Sequence, residues 1–577
     1  MTPRRLWALA ALVFLAVGVV TLGVRPLQVP DEARYGIIPA QMVESGDWLS
    51  LRLAGFRFYE KPPLVYWITA TSISAFGQNA VAIRLPSALA ACGAALVAAW
   101  CAVRITGRRE LGPLAFMVQA TTVMPLVLGT VTTLDPWFAC LVAVTMGAFL
   151  GACTSEGRTR ILWLAAAGAA AGLAFLAKGL LAFAIPGAAA IAYLAWERRW
   201  RDMLSMPWVP LVAAAVALLP LALAVERANP GMWKYLVMKE HVRRALNPDP
   251  TQQPQPWWFY AVLFPAGALV WTLAWPRAAA GLRACGGRGP GDAHARGDVR
   301  DAGPRLRSGV RFMLCWVFVP LTALSLSSGK LATYMLPMFA PVAVLVAVGL
   351  WHWRAANPGS GGRSASVARW ALRLALVACV AAAVAGPARF GLPDPWESGG
   401  ATRLLVIAAA LAAWALIDAW SWSTDDATRW LARTALAPMP MLALIPFLNP
   451  TALLDTAKHP WPFLAEHREA LRASDVLIVA GGTPALAASW DTGRRDLVIA
   501  GWADEFDNEL DLPEERERRI DWKAVAERVR AAREAQPPRT VGVLGQPAKL
   551  DEIMESADVP APTMREDRKD LGVAIWR

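Results

Sequence analysis

The chain has 577 residues, of which 56% are hydrophobic and only 18% are charged, and its mean hydropathy is +0.37. This composition excludes a soluble multidomain protein of this size and predicts a membrane protein. The formal net charge of +12 falls largely in short loops between apolar runs, so it indicates anionic lipid and membrane topology rather than nucleic acid. The seven cysteines form no CxxC pair and are predicted to be small core residues.

About thirteen apolar runs have the length that a bilayer-spanning helix requires, roughly 20 residues. Arginines cluster in alternate short loops, which predicts that these loops face the cytoplasm and that the C-terminus lies outside. The first run could alternatively be a cleaved signal peptide, but its basic start fits the alternation and favours an uncleaved span. The predicted spans lie near residues 6–24, 81–101, 111–130, 134–152, 161–177, 179–196, 208–225, 257–275, 309–327, 334–352, 368–387, 402–421 and 432–449.

The segment 30–67 concentrates acids, bases and aromatic residues between two apolar runs, on the predicted outer face. It is predicted to begin with an interfacial helix that carries Arg34 and Tyr35 and stops at Gly46. Asp31, at the start of this helix, has two interpretations. It could be a helix N-cap, or a carboxylate at the membrane surface that lies beside Arg34 and faces bound substrate.

The sequence 59–63, YEKPP, combines an aromatic residue, an acid and a base with two prolines. Because proline fixes φ and disfavours helix in the residue before it, the side chains of Tyr59, Glu60 and Lys61 are predicted to be presented from a fixed turn. The alternative is an interfacial lysine that extends its ammonium to the headgroup level before a proline-capped helix.

Further charged residues are predicted on the same outer face. Asp135 begins a span, where helix capping alone could explain it, and Lys178 and Lys330 interrupt apolar sequence at outer turns. The loop 227–256 adds several cations and could be a solvated basic face. Lysine binds phosphate as a point charge without bidentate geometry, so this collection predicts a substrate that carries phosphate. The charged and polar residues of that loop include Lys234, Tyr235, Lys239, Glu240, His241, Arg243 and Arg244.

The composition changes after residue 450. Short β-type runs at 475–480, 496–500 and 540–544, with an amphipathic helix at 522–535, predict a small α/β domain. The predicted organisation is therefore a membrane domain over residues 1–450, with its active-site loop at 30–80, followed by an outer α/β domain over 451–577. The glycines after the first run do not form GxGxxG, so a dinucleotide site is not indicated.

Six short motifs occur in ordered succession between Trp7 and Leu350: DEARY, SGDW, YEKPPL, IRLPS, LAKG and GKLATY. Together they closely resemble the bacterial aminoarabinose lipid A transferases and their relatives among the protein mannosyltransferases. The resemblance implies a polytopic α-helical membrane protein of GT-C type with interfacial helices on the periplasmic side. It also implies an enzyme that takes a sugar from a polyprenyl phosphate and transfers it, with inversion, outside the cytoplasmic membrane.

The resemblance also implies roles at matching positions. Asp31 matches the acidic residue held to be catalytic, and Lys61 matches the lysine that contacts the lipid phosphate. His241, with Glu60, matches positions associated with a metal, but the sequence offers no convincing second histidine. A divalent metal is therefore left open and no cofactor is assigned. The remaining predicted substrate-binding residues are Arg34, Tyr35, Tyr59, Glu60, Asp135, Lys178, Arg244, Lys330 and Tyr334.

The leading hypothesis is transfer of 4-amino-4-deoxy-L-arabinose from undecaprenyl phosphate to lipid A at the periplasmic face of the inner membrane, with no nucleic-acid partner. A phosphate acceptor, with a second pKa of about 6, is already a nucleophile at neutral pH. A hydroxyl acceptor would instead need a base, for which Asp31 is the natural candidate. The alternatives are a related transferase with another sugar and envelope acceptor, a lipid or solute transporter, and an assembly protein whose C-terminal domain docks a partner.

Overall fold

A computed structural model of the chain describes residues 1–238, 255–286, 302–327, 329–358, 400–442, 460–501, 506, 513–555, 559–568 and 570–577. These residues form two compact units. The first, called here the helical unit, comprises Met1–Val24, Arg84–Leu223 and Leu236–Leu448. The second, called the sheet unit, comprises Arg25–Ile83, Ala224–Tyr235 and Asn449–Arg577.

The helical unit is an assembly of apolar helices. Within the described residues, seven helices are long and apolar enough to cross a membrane, or up to nine spans if each of two bent pairs counts as one. The helices that lie wholly or largely in this unit are Pro3–Phe14, Ala80–Thr106, Leu111–Ala120, Val123–Gly129, Asp135–Cys153, Gly157–Lys178, Leu181–Trp196, Trp200–Ser205, Trp208–Ala228, Phe259–Gly267, Trp275–Gly286, Ala302–Leu326, Phe339–Ala356, Gly400–Ser421, Ala427–Leu436 and Met439–Leu442, with 3₁₀ turns at Val20–Gly23, Thr272–Ala274 and Ala332–Met338 and a π turn at Leu15–Val19.

Two spans predicted as continuous are broken. The run 111–130 bends by 69° and the run 257–275 bends by 94°. The first bends where Thr122 is extended, with ψ 130°, before the next helix begins, and the second where Val270 has φ +78°. A β-branched residue in the left-handed region is sterically unfavourable, and apolar sequence gives no sign of it.

The seven unbroken spans coincide with the predicted runs that begin near residues 6, 81, 134, 161, 208, 309 and 334. The run 179–196 forms the shorter apolar helix Leu181–Trp196, and the run 402–421 lies in the helix Gly400–Ser421. The run 368–387 and the end of the run 432–449 lie outside the described residues. A total of about thirteen spans therefore stays a prediction.

Glycine permits close contact between helices in this unit. A Cβ on Gly168 would lie 2.1 Å from the carbonyl oxygen of Pro210, and one on Gly172 would lie 2.7 Å from that of Ala214. The spacing of four residues places both glycines on one face of their helix. Small residues at such crossings let membrane helices approach by their backbones, where apolar burial alone gives no driving force.

The sheet unit contains a six-stranded sheet. The strand order is Arg519–Ile520, Val498–Ala500, Val476–Ala480, Val541–Gly545, Leu571–Trp576 and Met564–Arg568. The first four strands run parallel and the last two pair antiparallel. The helices of this unit are Asp31–Ser45, Leu64–Phe76, Met232–Tyr235, Trp461–Ala473, Gly482–Thr492, Trp522–Glu534 and Pro547–Met554, with a 3₁₀ turn at Pro513–Arg518 and a two-stranded hairpin, Arg52–Leu53 and Phe56–Arg57.

The predicted C-terminal α/β region is confirmed. Strands form at Val476–Ala480, Val498–Ala500 and Val541–Gly545, and the amphipathic helix spans Trp522–Glu534. Sequence analysis missed the two antiparallel strands at the C-terminus. The central strands are buried on both faces, which is typical of a sheet covered by helices on both sides.

Residues early in the chain share a core with this C-terminal region. Leu27, Ala40 and Ile83 are buried in one cluster with Trp461 and Trp490 packed against it. The indole N–H of Trp461 donates to the carbonyl of Leu27 at 2.7 Å. The structure thus places the segment 25–83 in one unit with the C-terminal sheet. The predicted division into folding domains at residue 450 stays a prediction.

Candidate active site

The two acids at the start of the helix Asp31–Ser45, called here the loop helix, have different surroundings. Successive residues of a helix lie about 100° apart, so neighbouring carboxylates face different directions. Glu32 is 1% exposed, and its two oxygens accept hydrogen bonds from Arg25 at 2.7 and 3.0 Å. The backbone N–H of Gln28 donates to the same carboxylate at 2.9 Å. Glu32 is therefore a buried structural anion.

The side chain of Asp31 is 62% exposed and accepts a hydrogen bond from Arg34 at 2.8 Å. Pro30, rather than Asp31, is the N-cap of the loop helix. The interpretation of Asp31 as an N-cap is therefore wrong. The guanidinium of Arg34 also lies 5.3 Å from the ring centre of Tyr35, so the arginine is held by an anion and an aromatic face. Of the acidic pair, Asp31 is therefore the one exposed to solvent.

Aromatic residues fix the surroundings of this pair. Tyr35 stacks on Tyr66 with ring centres 6.0 Å apart, and Phe58 meets Tyr66 edge-on at 6.1 Å. Both Phe58 and Tyr66 are 1% exposed. Tyr35 is therefore held against a buried aromatic layer at the position that sequence analysis predicted to contact substrate.

The turn predicted to present Tyr59, Glu60 and Lys61 follows the hairpin of residues 52–57, called here the loop hairpin. Tyr59 packs edge-on against Tyr235 at 6.1 Å. Glu60 and Lys61 are both half-buried and lie outside any helix or strand. The next helix, Leu64–Phe76, begins only after Pro63, as expected if proline keeps helix out of the preceding residues.

A second group of predicted residues meets in the helical unit. Asp135 is the first residue of the helix Asp135–Cys153, Lys178 is the last residue of Gly157–Lys178, and the two side chains form a hydrogen-bonded ion pair. They are 11% and 15% exposed. The ammonium of Lys178 lies 4.5 Å from the ring centre of Tyr334. Leu134 is the N-cap here, so capping does not account for Asp135 either.

The ammonium of Lys178 has N–H donors that the ion pair does not use. A lysine ammonium carries three N–H donors, and one is used by Asp135. Among the described residues, no other protein group accepts a hydrogen bond from Lys178. An ammonium oriented by a carboxylate and an aromatic ring, with donors remaining, is suited to bind an anionic oxygen of a substrate.

Lys330 is also a predicted substrate-binding residue, and that role stays a prediction. It is 4% exposed, and its ammonium donates to the carbonyls of Gln255, at 2.8 Å, and Ser327. The hydroxyl of Tyr260 donates to the next carbonyl along the chain, that of Leu331, at 2.9 Å. These bonds hold the chain that leads into the 3₁₀ turn with Tyr334, so the direct contacts of Lys330 are structural.

Two predicted residues, His241 and Arg244, lie outside the described part of the chain, so the Glu60–His241 metal hypothesis stays a prediction. Within the described part, one cluster has the ligand atoms and spacing for a metal: Glu466, His467 and Glu566, whose ligand atoms lie within 4.8 Å of one another. Arg568 donates to Glu466 at 2.6 Å and lies 3.9 Å from Glu566. The guanidinium of Arg568 therefore already lies beside both carboxylates of this cluster. No cofactor is established.

Two residues that sequence analysis missed support the loop helix and the segment after it. Arg25 is the buried partner of Glu32, and Asn229 donates to the carbonyl of Leu49 at 2.8 Å. Arg25 could have been noticed as a cation at the end of the first apolar run, two turns before an acid. Asn229 carries no such signal, because its partner is a backbone carbonyl 180 residues away.

The fold matches that of a solved polytopic membrane protein of GT-C type. The structure of ArnT from Cupriavidus metallidurans bound to undecaprenyl phosphate matches with a TM-score of 0.79 and 20% sequence identity, over 99% of this chain and 97% of that chain. The apo structure of the same protein matches with a TM-score of 0.76 and 19% identity. The chain therefore has the GT-C fold and is a multi-pass membrane protein.

Sequence comparison shows to which family the chain belongs. Residues 6–236 match the dolichyl-phosphate-mannose-protein mannosyltransferase family. An undecaprenyl phosphate-alpha-4-amino-4-deoxy-L-arabinose arabinosyl transferase from Pseudomonas savastanoi pv. phaseolicola is 30% identical over 97% of this chain and 98% of its own length. One from Aeromonas salmonicida is 30% identical over 89% of both chains. The chain belongs to this family of arabinosyl transferases and is a glycosyltransferase.

Proposed function

We propose that the chain transfers 4-amino-4-deoxy-L-arabinose from undecaprenyl phosphate to a phosphate of lipid A, at the periplasmic face of the bacterial inner membrane. The observation that carries the proposal is the 30% identity to a transferase named for that donor and sugar, over 97% of this chain. Basic residues lie beside exposed or half-buried acids in the sheet unit and beside the buried Asp135 in the helical unit, which supports an anionic lipid-linked substrate.

The reaction exchanges one bond at the anomeric carbon for another. An oxygen of the acceptor phosphate attacks this carbon, and the C–O bond to undecaprenyl phosphate breaks with inversion. The bonding electron pair leaves with the undecaprenyl phosphate oxygen. Negative charge therefore grows on the leaving phosphate, and positive charge grows on the sugar ring, as the transition state is approached.

Lys61 is assigned to the leaving phosphate. A fixed cation beside that phosphate binds the transition state more strongly than the ground state, and only such differential binding raises the rate of the chemical step. Its place in the half-buried turn before Pro62–Pro63 supports this role, because a turn fixed by proline loses little conformational freedom when substrate binds.

Lys178 is assigned to a second anionic oxygen of the substrates. The ion pair with Asp135 and the ring of Tyr334 orient its ammonium, and two of its N–H donors remain for a phosphate or a sugar hydroxyl.

Asp31 is assigned to orientation rather than to proton removal. An acceptor phosphate with a second pKa of about 6 needs no base at neutral pH. The exposed carboxylate of Asp31 fixes Arg34 at 2.8 Å and is available to a polar group of the sugar. If the acceptor were a hydroxyl, the same carboxylate would have to take its proton.

Mass spectrometry of lipid A tests the proposal. Cells with the wild-type chain are expected to carry aminoarabinose on lipid A phosphate, whereas cells with the Lys61→Ala variant at equal abundance are expected to lack it. Aminoarabinose found on another acceptor would reject lipid A as the target. Another sugar on lipid A would keep the enzyme class and reject the assigned donor.

The purified chain tests the role of Asp31. With donor lipid and either a phosphate-bearing acceptor or a hydroxyl acceptor, Asp31→Asn is expected to reduce turnover on the phosphate acceptor far less than turnover on the hydroxyl acceptor. Equal losses on both acceptors would contradict the assigned role.

A further inference from the structure

The loop hairpin is anchored by a part of the sheet unit that lies more than 400 residues away in sequence. Its turn consists of Ala54, with φ +51°, and Gly55, with φ +89°. Two positive φ values are typical of a type I′ hairpin turn, which favours glycine. A Cβ on Gly55 would lie 2.1 Å from the carbonyl oxygen of Arg495. The backbones of the hairpin and the C-terminal region therefore touch.

Arg518 is the centre of this contact. Its guanidinium donates to the carbonyls of Ala54 at 3.0 Å, Arg495 at 2.9 Å and Leu497 at 3.0 Å. It also lies 3.5 Å from the ring centre of Phe56, which is close cation–π geometry. The arginine thus bonds the hairpin and the C-terminal region at once.

Phe56 forms the buried side of this contact. It is fully buried and packs against Phe506 with ring centres 5.2 Å apart. We name Arg518, Ala54, Phe56 and Arg495 the Arg518 clamp.

The loop helix is attached to the same region. Arg495 donates to both carboxylate oxygens of Glu44, at 2.8 and 3.2 Å. A Cβ on Gly36 would lie 2.8 Å from the ring of Trp490. The helix that carries Asp31 and the hairpin that precedes Lys61 therefore rest on one C-terminal surface.

The hairpin leads directly into the turn that is predicted to present Tyr59, Glu60 and Lys61. The backbone N–H of Phe58 donates to the carbonyl of Leu51 at 2.9 Å, which continues the hairpin pairing up to the residue before Tyr59. Glu60 and Lys61 follow at once. A displacement of the hairpin therefore displaces the turn.

We propose that Arg518 is a positioning residue for sugar transfer: by holding Ala54 and Phe56 it fixes the turn that carries Glu60 and Lys61. The proposal rests on the proposed function for the role of that turn. It gives the C-terminal sheet a part in the reaction itself, in contrast to a docking module for a separate partner.

The test compares Arg518→Ala and Arg518→Lys with a matched control, Arg528→Ala, in the purified full-length chain. Arg528 is an exposed arginine of the same unit, and its guanidinium donates to the carbonyl of Glu517 at 3.4 Å.

For Arg518→Ala we expect kcat to fall by about 10- to 100-fold, because small misplacements of reacting groups have effects of that size. KM for both substrates should be nearly unchanged. Arg518→Lys should lie between, since lysine keeps the charge but loses the planar fork. The control should match wild type.

Amide hydrogen exchange supplies a readout that does not depend on activity. In Arg518→Ala, exchange should become faster at residues 51–61 while the strands of the C-terminal sheet keep their protection. A merely structural role of Arg518 would instead speed exchange throughout the sheet and lower activity only in proportion to the folded fraction. Either that pattern, or unchanged exchange at 51–61, would overturn the proposal.

A second variant reaches the contact from the hairpin side and covers the case in which Arg518→Ala fails to fold. Gly55→Ala places a methyl group against the carbonyl of Arg495, so it should give the same fall in kcat and the same exchange at 51–61. Wild-type kcat and exchange in Gly55→Ala would count against the clamp. Should the wild-type chain fail to transfer the sugar, the proposed function falls, whereas the exchange comparison still decides whether the clamp holds the turn.

Discussion

The two groups of charged residues are held in place by different means. The residues Asp31, Arg34, Glu60 and Lys61 are called here the loop group. The contacts that support its helix and hairpin span 464 residues from Arg518 to Ala54 and 451 residues from Arg495 to Glu44. In the helical unit, Asp135 and Lys178 are 43 residues apart and lie at the ends of two successive helices. The first group therefore depends on the C-terminal sheet, whereas the second is fixed by the helices that carry it.

The largest expected effect is on catalysis in the loop group. Lys61→Ala should lower kcat by about 10²- to 10³-fold, because it removes a fixed charge from the leaving phosphate. Initial rates at saturating donor and acceptor measure this. Lys61→Arg, which keeps the charge, serves as the control and should retain more activity. A loss confined to KM would show that Lys61 binds substrate and transition state equally.

A comparable substitution in the helical unit should reduce stability as well as activity. Lys178→Met leaves the carboxylate of Asp135 without its partner in a site 11% exposed, which costs about 3–5 kcal/mol for a buried pair. The double variant Asp135→Leu/Lys178→Met should recover the melting temperature of the detergent-solubilised chain but remain inactive. Recovery of transfer in the double variant would show that the pair is structural only.

The adjacent acids Asp31 and Glu32 allow effects on stability and on activity to be told apart within the loop helix. Glu32→Gln should lower the free energy of unfolding by about 1–3 kcal/mol, since it weakens the charge-assisted bonds that satisfy Arg25 in a buried site. Asp31→Asn, at an exposed position, should change that free energy by less than about 0.5 kcal/mol while lowering transfer. Thermal melting and turnover of both variants check this. Loss of stability in Asp31→Asn, with loss of transfer alone in Glu32→Gln, would contradict these assigned roles.

The smallest effect is a pH dependence in the sheet unit. Burial raises the pKa of Asp496, but the two hydrogen bonds and the charge of Arg494 outweigh it and hold the pKa below the ordinary value of 3.8. The folded state then binds fewer protons than the unfolded state. The stabilisation is complete well above pH 3.8 and is lost as the pH falls through the folded pKa.

Melting temperatures of wild type and Asp496→Asn check this dependence. The wild type should melt higher at neutral pH, and the difference should shrink below about pH 4. The hydrogen bond of Arg518 to the carbonyl of Leu497 lies one residue away, so acid should also loosen the clamp. A difference that is constant with pH would contradict the assigned cause.

Sequence reasoning was accurate where the determining signal is local. The loop helix runs from Asp31 to Ser45 and ends at Gly46 with φ +73°, because glycine tolerates the left-handed conformation that ends a helix. Three strands of the C-terminal sheet were recognisable as short apolar runs. These features depend on residues within one or two turns of each other.

The features that were missed depend on distant partners or on rare backbone conformations. Arg518 lies in the run EERERR, 514–519, which in sequence is indistinguishable from a solvated charged surface. Which of Asp31 and Glu32 is buried follows from the position of Arg25, and no periodicity encodes that choice. The bends at Thr122 and Val270 occur at non-glycine residues within apolar sequence, where a continuous span is the natural prediction.

The hydrogen bond between Arg518 and Ala54 also has a consequence for biosynthesis. Ala54 leaves the ribosome 464 codons before the arginine that holds it, so the hairpin emerges long before its support is translated. A nascent chain interrupted at residue 450 would already contain the Asp135–Lys178 pair. It would still lack every C-terminal contact of the loop hairpin, so interrupted synthesis should yield a membrane-inserted but inactive protein.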